Sequence, residues 1–187
     1  MFSTVLSKYS SVDTRFGTDK ITSHSYGDAY NNLFLERKDS CTKILEIGIS
    51  GGFGLKAYSE YFTNADIYGI DIEDIIVADI KNNSNIHICF GDAKDNLIIN
   101  TFPYLYDIII EDASHIPADQ IHHFKDYSQF VKPGGIYIIE DVNENALNSV
   151  LNETSHHASQ NGFTVELIDL RHIKNRFDDI LILFKKM

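Results

Sequence analysis

Cysteine is scarce: the chain holds two, Cys41 and Cys89. That excludes a disulfide framework, and both lie next to or within expected strands, as reduced, buried small hydrophobes would. No Cys or His pair has zinc-site spacing. Positive charge is also scarce, with Lys+Arg 16 against Asp+Glu 27 and a formal net charge of −11. A field of that sign repels phosphate backbones, so nucleic acid is not an expected partner, while an acidic cleft would attract a cation or a cationic cofactor. Long apolar runs are missing. Nothing approaches the ~20 residues of a membrane span, and the opening "MFSTVLSKYSS" lacks the apolar region of a signal peptide. No repeat or low-complexity tract is visible. The expectation is a cytoplasmic protein of 187 residues in one domain, with an arm over 1–24, an N-terminal helix over 25–36 and a core over 43–187.

Short segments rich in Ile, Val, Leu and Tyr run through the core. They are "KILEIGI" (43–49), "DIYGID" (66–71), "IHICF" (86–90), "YDIIIE" (106–111), "GIYIIE" (135–140), "FTVELIDL" (163–170) and "DILILFK" (179–185). The first five are apolar on both faces, as central parallel strands are. Helical stretches over 52–62, 74–81, 93–100, 117–131 and 144–160 separate them. This alternation predicts an α/β fold: a Rossmann-like, mostly parallel seven-stranded sheet with helices on both faces. The last two strands are joined only by "RHIKNRFD", too short for a crossover helix, so they form an antiparallel hairpin at one edge. "KPGG" at 132–135 is a turn signal before the fifth strand. Residues 1–24 show little periodicity and read as a mobile arm, after which Tyr26, Tyr30 and Phe34 recur on one helix face.

The loop "LEIGISGGFG" follows the first strand. In such sheets ligands bind beyond the carboxyl ends of the strands, and glycines there let backbone approach a ligand. The dinucleotide pattern G-x-G-x-x-G fails from Gly48, because Ser50 and Phe53 occupy glycine positions; E-x-G-x-x-x-G fits, through Glu46, Gly48 and Gly52. Asp71 ends the second strand, placed to accept both hydroxyls of a ribose. Asp92 ends the third, placed to meet an adenine edge. Ser50 and Ala93 belong to the same two loops.

Two apolar strands end in doubled acids, "IIIED" and "IIED". Neighbouring parallel strands lie roughly 4.8 Å apart, so Asp112, Glu140 and Asp141 can converge. Carboxylates brought together either take up protons or hold a cation, and oxygen donors favour a hard ion such as Mg²⁺. His115, three residues past Asp112, is placed to take a proton near neutral pH. A divalent ion lowers the pKa of a hydroxyl it binds, so that oxygen would become a better nucleophile. Glu111 should point away from the ion, toward cofactor or backbone, because neighbours on a strand alternate faces. His122–His123 and His156–His157, adjacent on helices, are expected at the surface.

Glu46, Gly48, Gly52, Asp71 and Asp92, with the terminal hairpin, resemble the class I S-adenosylmethionine-dependent methyltransferases over about 43–185. The segments "GTDK", "HSYGDAY", "EDASH", "KPGG", "IIEDV" and "DLRHIKNRFDDILIL" look like the metal-dependent sugar O-methyltransferases of macrolide and related glycoside pathways. The resemblance implies S-adenosyl-L-methionine and Mg²⁺ as cofactors, Asp112, Glu140 and Asp141 as metal ligands, and His115 with Asp112 at the catalytic step. It places Lys20 and Tyr26 near the cofactor's methionine end, and the cofactor set then comprises Lys20, Tyr26, Glu46, Gly48, Ser50, Gly52, Asp71, Asp92, Ala93 and Glu111. The expected acceptor is a vicinal diol of a sugar, glycoside or nucleotide-sugar, with no nucleic acid or membrane partner. The alternative keeps the cofactor and moves the methyl to an amine or phosphate-type oxygen without a metal. A nicotinamide oxidoreductase fails on the missing glycines, and a non-catalytic cofactor-binding subunit is the remaining contrast. Cephalosporin-hydroxylase-like proteins share a similar acidic triad, so the triad does not name the acceptor. Against the macrolide enzymes, the expectation is a chain without their additional N-terminal domain. This leaves substrate size and oligomeric state open, a homo-oligomer being among the expectations.

Overall fold

Alternation of apolar side chains on both faces of the central strands determines how the chain layers. The computed structural model describes residues 1–102 and 104–187, and of Ala78 the backbone. Its strands are β1 (Lys43–Ile47), β2 (Asp66–Asp71), β3 (Ile86–Phe90), β4 (Tyr106–Glu111), β5 (Val131–Ile139), β6 (Phe163–Asp169) and β7 (Ile180–Lys186). They form one seven-stranded sheet in the order β3-β2-β1-β4-β5-β7-β6. β1 to β5 pair in parallel, whereas β7 runs antiparallel to both β5 and β6. The expected terminal hairpin is therefore present, its connection holding one helical turn, α8 (Arg171–Lys174).

Ile44, Ile67, Ile108, Ile110, Ile136, Ile138, Leu181 and Leu183 pack in one core layer. Leu45, Tyr68, Ile70, Ile109, Tyr137, Ile139, Ile180 and Ile182 pack in the other. This is the period of two expected where both sheet faces are covered. The first layer is closed by α1 (Phe2–Leu6), α2 (Gly27–Leu35) and α3 (Phe53–Tyr61), the second by α6 (Pro117–Tyr127) and α7 (Leu147–Gln160). The expected helices over 74–81 and 93–100 shrink to single turns, α4 (Ala78–Lys81) and α5 (Asn96–Ile99). α6 stops at Tyr127, followed by a three-ten turn over Ser128–Phe130. "KPGG" is not a turn ahead of β5 but a break within it. The ladder steps from Tyr106↔Val131 to Ile108↔Ile136, and Gly134 supplies a φ of +78°. Among the described residues no helix is long and apolar enough to cross a membrane.

The mobile-arm reading of 1–24 is corrected. Phe2 and Leu6 are fully buried. Phe2 lies 5.0 Å from Phe34, 5.2 Å from Tyr61 and 5.5 Å from Tyr58, ring centre to ring centre. A helix of one turn is too short to show a period, so the anchoring was invisible in the pattern. Phe2→Ala is expected to cost about 3–5 kcal/mol in a denaturant titration; a loss below about 0.5 kcal/mol, typical of surface positions, would show that the arm is not docked.

Candidate active site

The pleat decides which acids meet. Ile108, Ile110, Ile136 and Ile138 face the layer under α2, so continuing the count places Asp112 and Glu140 on that same side. Lys20 meets them there: its ammonium donates to Asp112 Oδ2 at 2.6 Å and Glu140 Oε2 at 2.7 Å, and lies 3.2 Å from Glu46 Oε1. Only 2% of the Lys20 side chain is exposed. Burial opposes its charge, but Asp112 and Glu140 outweigh it and hold the ammonium well above the usual lysine range. Tyr30 donates its hydroxyl to Glu140 Oε1, and Tyr26 donates to Asp141 Oδ1. Thus the Tyr26/Tyr30/Phe34 stripe is core along its length and polar at its tips. His24, buried, places Nδ1 3.2 Å from Asp141 Oδ1. Tyr58 donates to Glu46 Oε1 at 3.1 Å.

The outer side of this cluster carries the reactive groups. Asp141 has a φ of +53° and His115 of +56°, a left-handed backbone that non-glycine residues adopt at some cost. The turn at Asp141 breaks the strand alternation after Glu140. His115 Nε2 then lies 3.2 Å from Asp112 Oδ1, and its Nδ1 3.5 Å from Asp141 Oδ2. Donor atoms of Asp112, His115 and Asp141 fall within 4.8 Å of one another, and Glu140 is not in this set. Burial and the Asp112 carboxylate push Asp141 up to about 7. Burial works against charge on Asp112 too, but Lys20 and His115 hold it down to about 2. Burial lowers His115, and the Asp112 and Asp141 carboxylates more than reverse this, raising it to about 9. Two carboxylate oxygens, from Asp112 and Asp141, face one point beside His115, and such oxygen donors suit a hard divalent ion.

Two lobes of the site, each a separate cavity, share Gly48, Ser50, Asp112 and Ala113 in their walls. One, of about 270 Å³, includes Asp71, Asp92, Ala93 and His123; the other, of about 280 Å³, includes Lys20, Glu46, His115 and Asp141. A side chain at Gly48 would collide with the Asp112 carbonyl, and one at Gly54 would sit 2.7 Å from Glu46 Oε2. Asp71 Oδ2 accepts from the Ile49 and Ser50 amides at 2.8 Å each, and Oδ1 from Glu73 N at 3.0 Å. It therefore braces the glycine loop as well as lining the cleft. Asp92 is exposed at the mouth, and the Ala93 carbonyl accepts from the Tyr127 hydroxyl at 3.0 Å. Glu46 Oε2 is buried and lacks a hydrogen-bond partner among the described residues, and burial raises this carboxyl to about 7. A ligand ammonium would satisfy it.

Four expected site residues lie off the cleft lining: Tyr26, Gly52, Glu111 and Glu140. Gly52 caps α3 in a left-handed conformation, φ +85°. Glu111 points to the opposite sheet face, where His123 Nδ1 lies 3.0 Å from its Oε1. His123 is consequently buried, correcting its expected surface place, while His122 is exposed. His156 is exposed as expected, and His157 is half-buried against the Ser128 hydroxyl at 3.1 Å. Gln120, one turn earlier on α6, donates to the Glu140 carbonyl at 2.9 Å. Tyr30, His24, Gln120 and His123 were missed as site supports. Only the hydroxyls at the tips of the Tyr26/Tyr30 stripe offered a signal. Replacing His123 with Leu strands Glu111 and is expected to cost about 2–4 kcal/mol, against about 0.5 kcal/mol or less for His122→Ala. Equal melting shifts for the two variants would contradict the buried pair.

No protein-family model matches the chain. It is 30% identical over 138 residues to the 8-demethyl-8-alpha-L-rhamnosyl tetracenomycin-C 2'-O-methyltransferase of Streptomyces olivaceus, covering 68% of this chain and 36% of that protein. It is 31% identical over 144 residues to the mycinamicin VI 2''-O-methyltransferase of Micromonospora griseorubida, covering 71% and 35%. The aligned stretch is thus only about a third of each relative's length. Among solved structures, the MycE methyltransferase from the mycinamycin biosynthetic pathway, in complex with Mg and SAH, superposes with a TM-score of 0.76 at 21% identity, covering 99% of this chain and 54% of that one. Fibrillarin, a pre-rRNA processing protein of Methanococcus jannaschii, shares the fold at a TM-score of 0.63 and 18% identity, over 79% of this chain and 67% of its own. The fold is therefore shared with both a mycinamycin-pathway methyltransferase and a pre-rRNA processing protein. The chain has the class I methyltransferase fold and, over about two thirds of its length, is a sequence relative of the sugar O-methyltransferases.

Proposed function

We propose that the chain transfers a methyl group from S-adenosyl-L-methionine to a hydroxyl of a sugar or glycoside. The observation that carries this reading is that the two lobes share Gly48 and Asp112 in their walls. One lobe offers acids suited to an adenosine: Asp71 to the ribose, Asp92 to the base. The other offers the unpartnered Glu46 oxygen for the amino-acid ammonium and, a few ångströms on, His115 between Asp112 and Asp141. A sulfonium centre lying between the lobes would face His115.

Asp112 Oδ1 and Asp141 Oδ2 are the carboxylate atoms that would hold a divalent ion; when bound, it supplies positive charge that makes a nearby hydroxyl more acidic. His115, in its neutral form, is the group placed to take the hydroxyl proton; the Asp112 and Asp141 charges that raise it to about 9 would be offset where both carboxylates hold an ion. The carbon–oxygen bond forms as the carbon–sulfur bond breaks, and its electron pair remains on sulfur, leaving S-adenosylhomocysteine. Much of the acceleration is positioning, since the donor is already activated. The relatives' names, a rhamnosyl tetracenomycin-C 2'-O-methyltransferase and a mycinamicin VI 2''-O-methyltransferase, support a sugar acceptor, and a vicinal diol suits two-point attachment. The two free cysteines support a cytoplasmic setting.

His115→Ala is expected to lower turnover by about 10²–10⁴ while leaving S-adenosylhomocysteine affinity in place. Asp71→Ala should instead weaken that affinity by about 30–150-fold, the loss of two hydrogen bonds of ~1–1.5 kcal/mol each. The assay is a panel of sugars and glycosides followed by mass spectrometry for the gain of one methylene, with calorimetry for the cofactor. Failure to bind S-adenosylhomocysteine would refute the reading.

A further inference from the structure

Inner and outer oxygens of the carboxylate cluster are used differently. Both oxygens of Glu140 are taken: Oε2 accepts from Lys20 at 2.7 Å, and Oε1 from the Tyr30 hydroxyl. Asp112 and Asp141 are each split. Asp112 gives Oδ2 to Lys20 and turns Oδ1 toward His115. Asp141 gives Oδ1 to Tyr26 and turns Oδ2 toward His115. A divalent ion arriving from the cleft therefore meets two carboxylate oxygens that face only His115, while the third acid is already neutralised from behind.

Lys20 is not loosely placed. Its carbonyl accepts from Tyr26 N at 3.0 Å, and the following turn is clamped by Lys174, whose ammonium donates to the carbonyls of Ile21 and Thr22 at 2.9 Å each. Thr18, two residues before it, donates its amide to the Tyr9 carbonyl at 2.7 Å. Removing the Lys20 ammonium would leave three acids without their counter-ion.

We infer that Lys20 is a tethered cation occupying Glu140's share of the site, so that a divalent ion binds through Asp112 and Asp141 beside His115 and not through Glu140. The inference rests on the ion-assisted reading proposed above, and it departs from the Asp–Glu–Asp ligand set that the sequence resemblance implies. It also gives the N-terminal segment a defined role, because Lys20 is a positioning residue that sets how many acids remain open to the ion.

The test is Mn²⁺ binding to the full chain, without cofactor or acceptor, followed by loss of the free-ion EPR signal. Glu140→Gln should leave the dissociation constant within about 3-fold of the parent, and Asp141→Asn should weaken it by about 10-fold or more, a difference of at least ~1.4 kcal/mol. Lys20→Met, which returns Glu140 and Asp112 Oδ2 to the site, should tighten binding by about 10-fold or more. If Glu140→Gln weakens Mn²⁺ as much as Asp141→Asn, or if no protein binds the ion, the inference is overturned. Circular dichroism of each variant checks folding; should Lys20→Met not fold, the Glu140 and Asp141 comparison decides alone. Calorimetry with S-adenosylhomocysteine on the same parent sample separates the two readings. Cofactor binding with Glu140-dependent Mn²⁺ sinks only the inference, and no cofactor binding sinks the methyltransferase reading itself.

Discussion

A lysine ammonium closed off from water among Glu46, Asp112 and Glu140 is the interaction on which the rest of this molecule depends. Each of these charges would be costly to bury alone, by several kcal/mol after relaxation. Together they offset one another, and they also tie three separate strand ends to one residue of the N-terminal segment. That is why residues 1–24 belong to the site. Phe2 and Leu6 fasten one end of the segment in the apolar layer, Tyr26 and Tyr30 fasten the other, and Lys20 lies between them. The cleft acquires a wall, and the acids acquire a fixed direction.

Sheet geometry then distributes the labour among side chains that look equivalent in the chain. Glu111 and Asp112 are neighbours, yet one faces His123 under α6 and the other faces Lys20 under α2. Glu140 and Asp141 are neighbours too, but a left-handed residue at Asp141 interrupts the alternation, so both lie on the α2 side, one inward and one toward the cleft. Helix α6 supports these strand ends from the other face with polar side chains spaced along it. Gln120 holds the Glu140 carbonyl, His123 the Glu111 carboxylate, and Tyr127 the Ala93 carbonyl. Satisfying buried polar groups in this way keeps such ends rigid.

Much of this was legible beforehand, and the remainder has identifiable physical reasons. The seven strands and their hairpin follow from apolar runs bounded by turn residues, which depend on local composition. Strand-end acids at Asp71, Asp92, Asp112 and Asp141 were legible because a parallel sheet delivers its loops to one edge. Glu140's partner was not, since it comes from a segment 120 positions away with no periodicity to announce it. His123 was misplaced because adjacent helix positions differ by about 100°, and two consecutive histidines give no hint which one faces inward. The one-turn helix at Phe2 and the break at Gly134 are set by tertiary packing and strand pairing, which local pattern does not encode.

The central claim is that Lys20 and Glu140 stabilise one another inside the protein. A double-mutant cycle with Lys20→Met, Glu140→Gln and the pair, read by denaturant unfolding at neutral pH, measures it directly. Removing either partner from a buried pair should cost about 3–5 kcal/mol, and the double variant should lose much less than the sum, a coupling of about 2 kcal/mol or more. Additive losses, with a coupling below about 0.5 kcal/mol, would contradict the account.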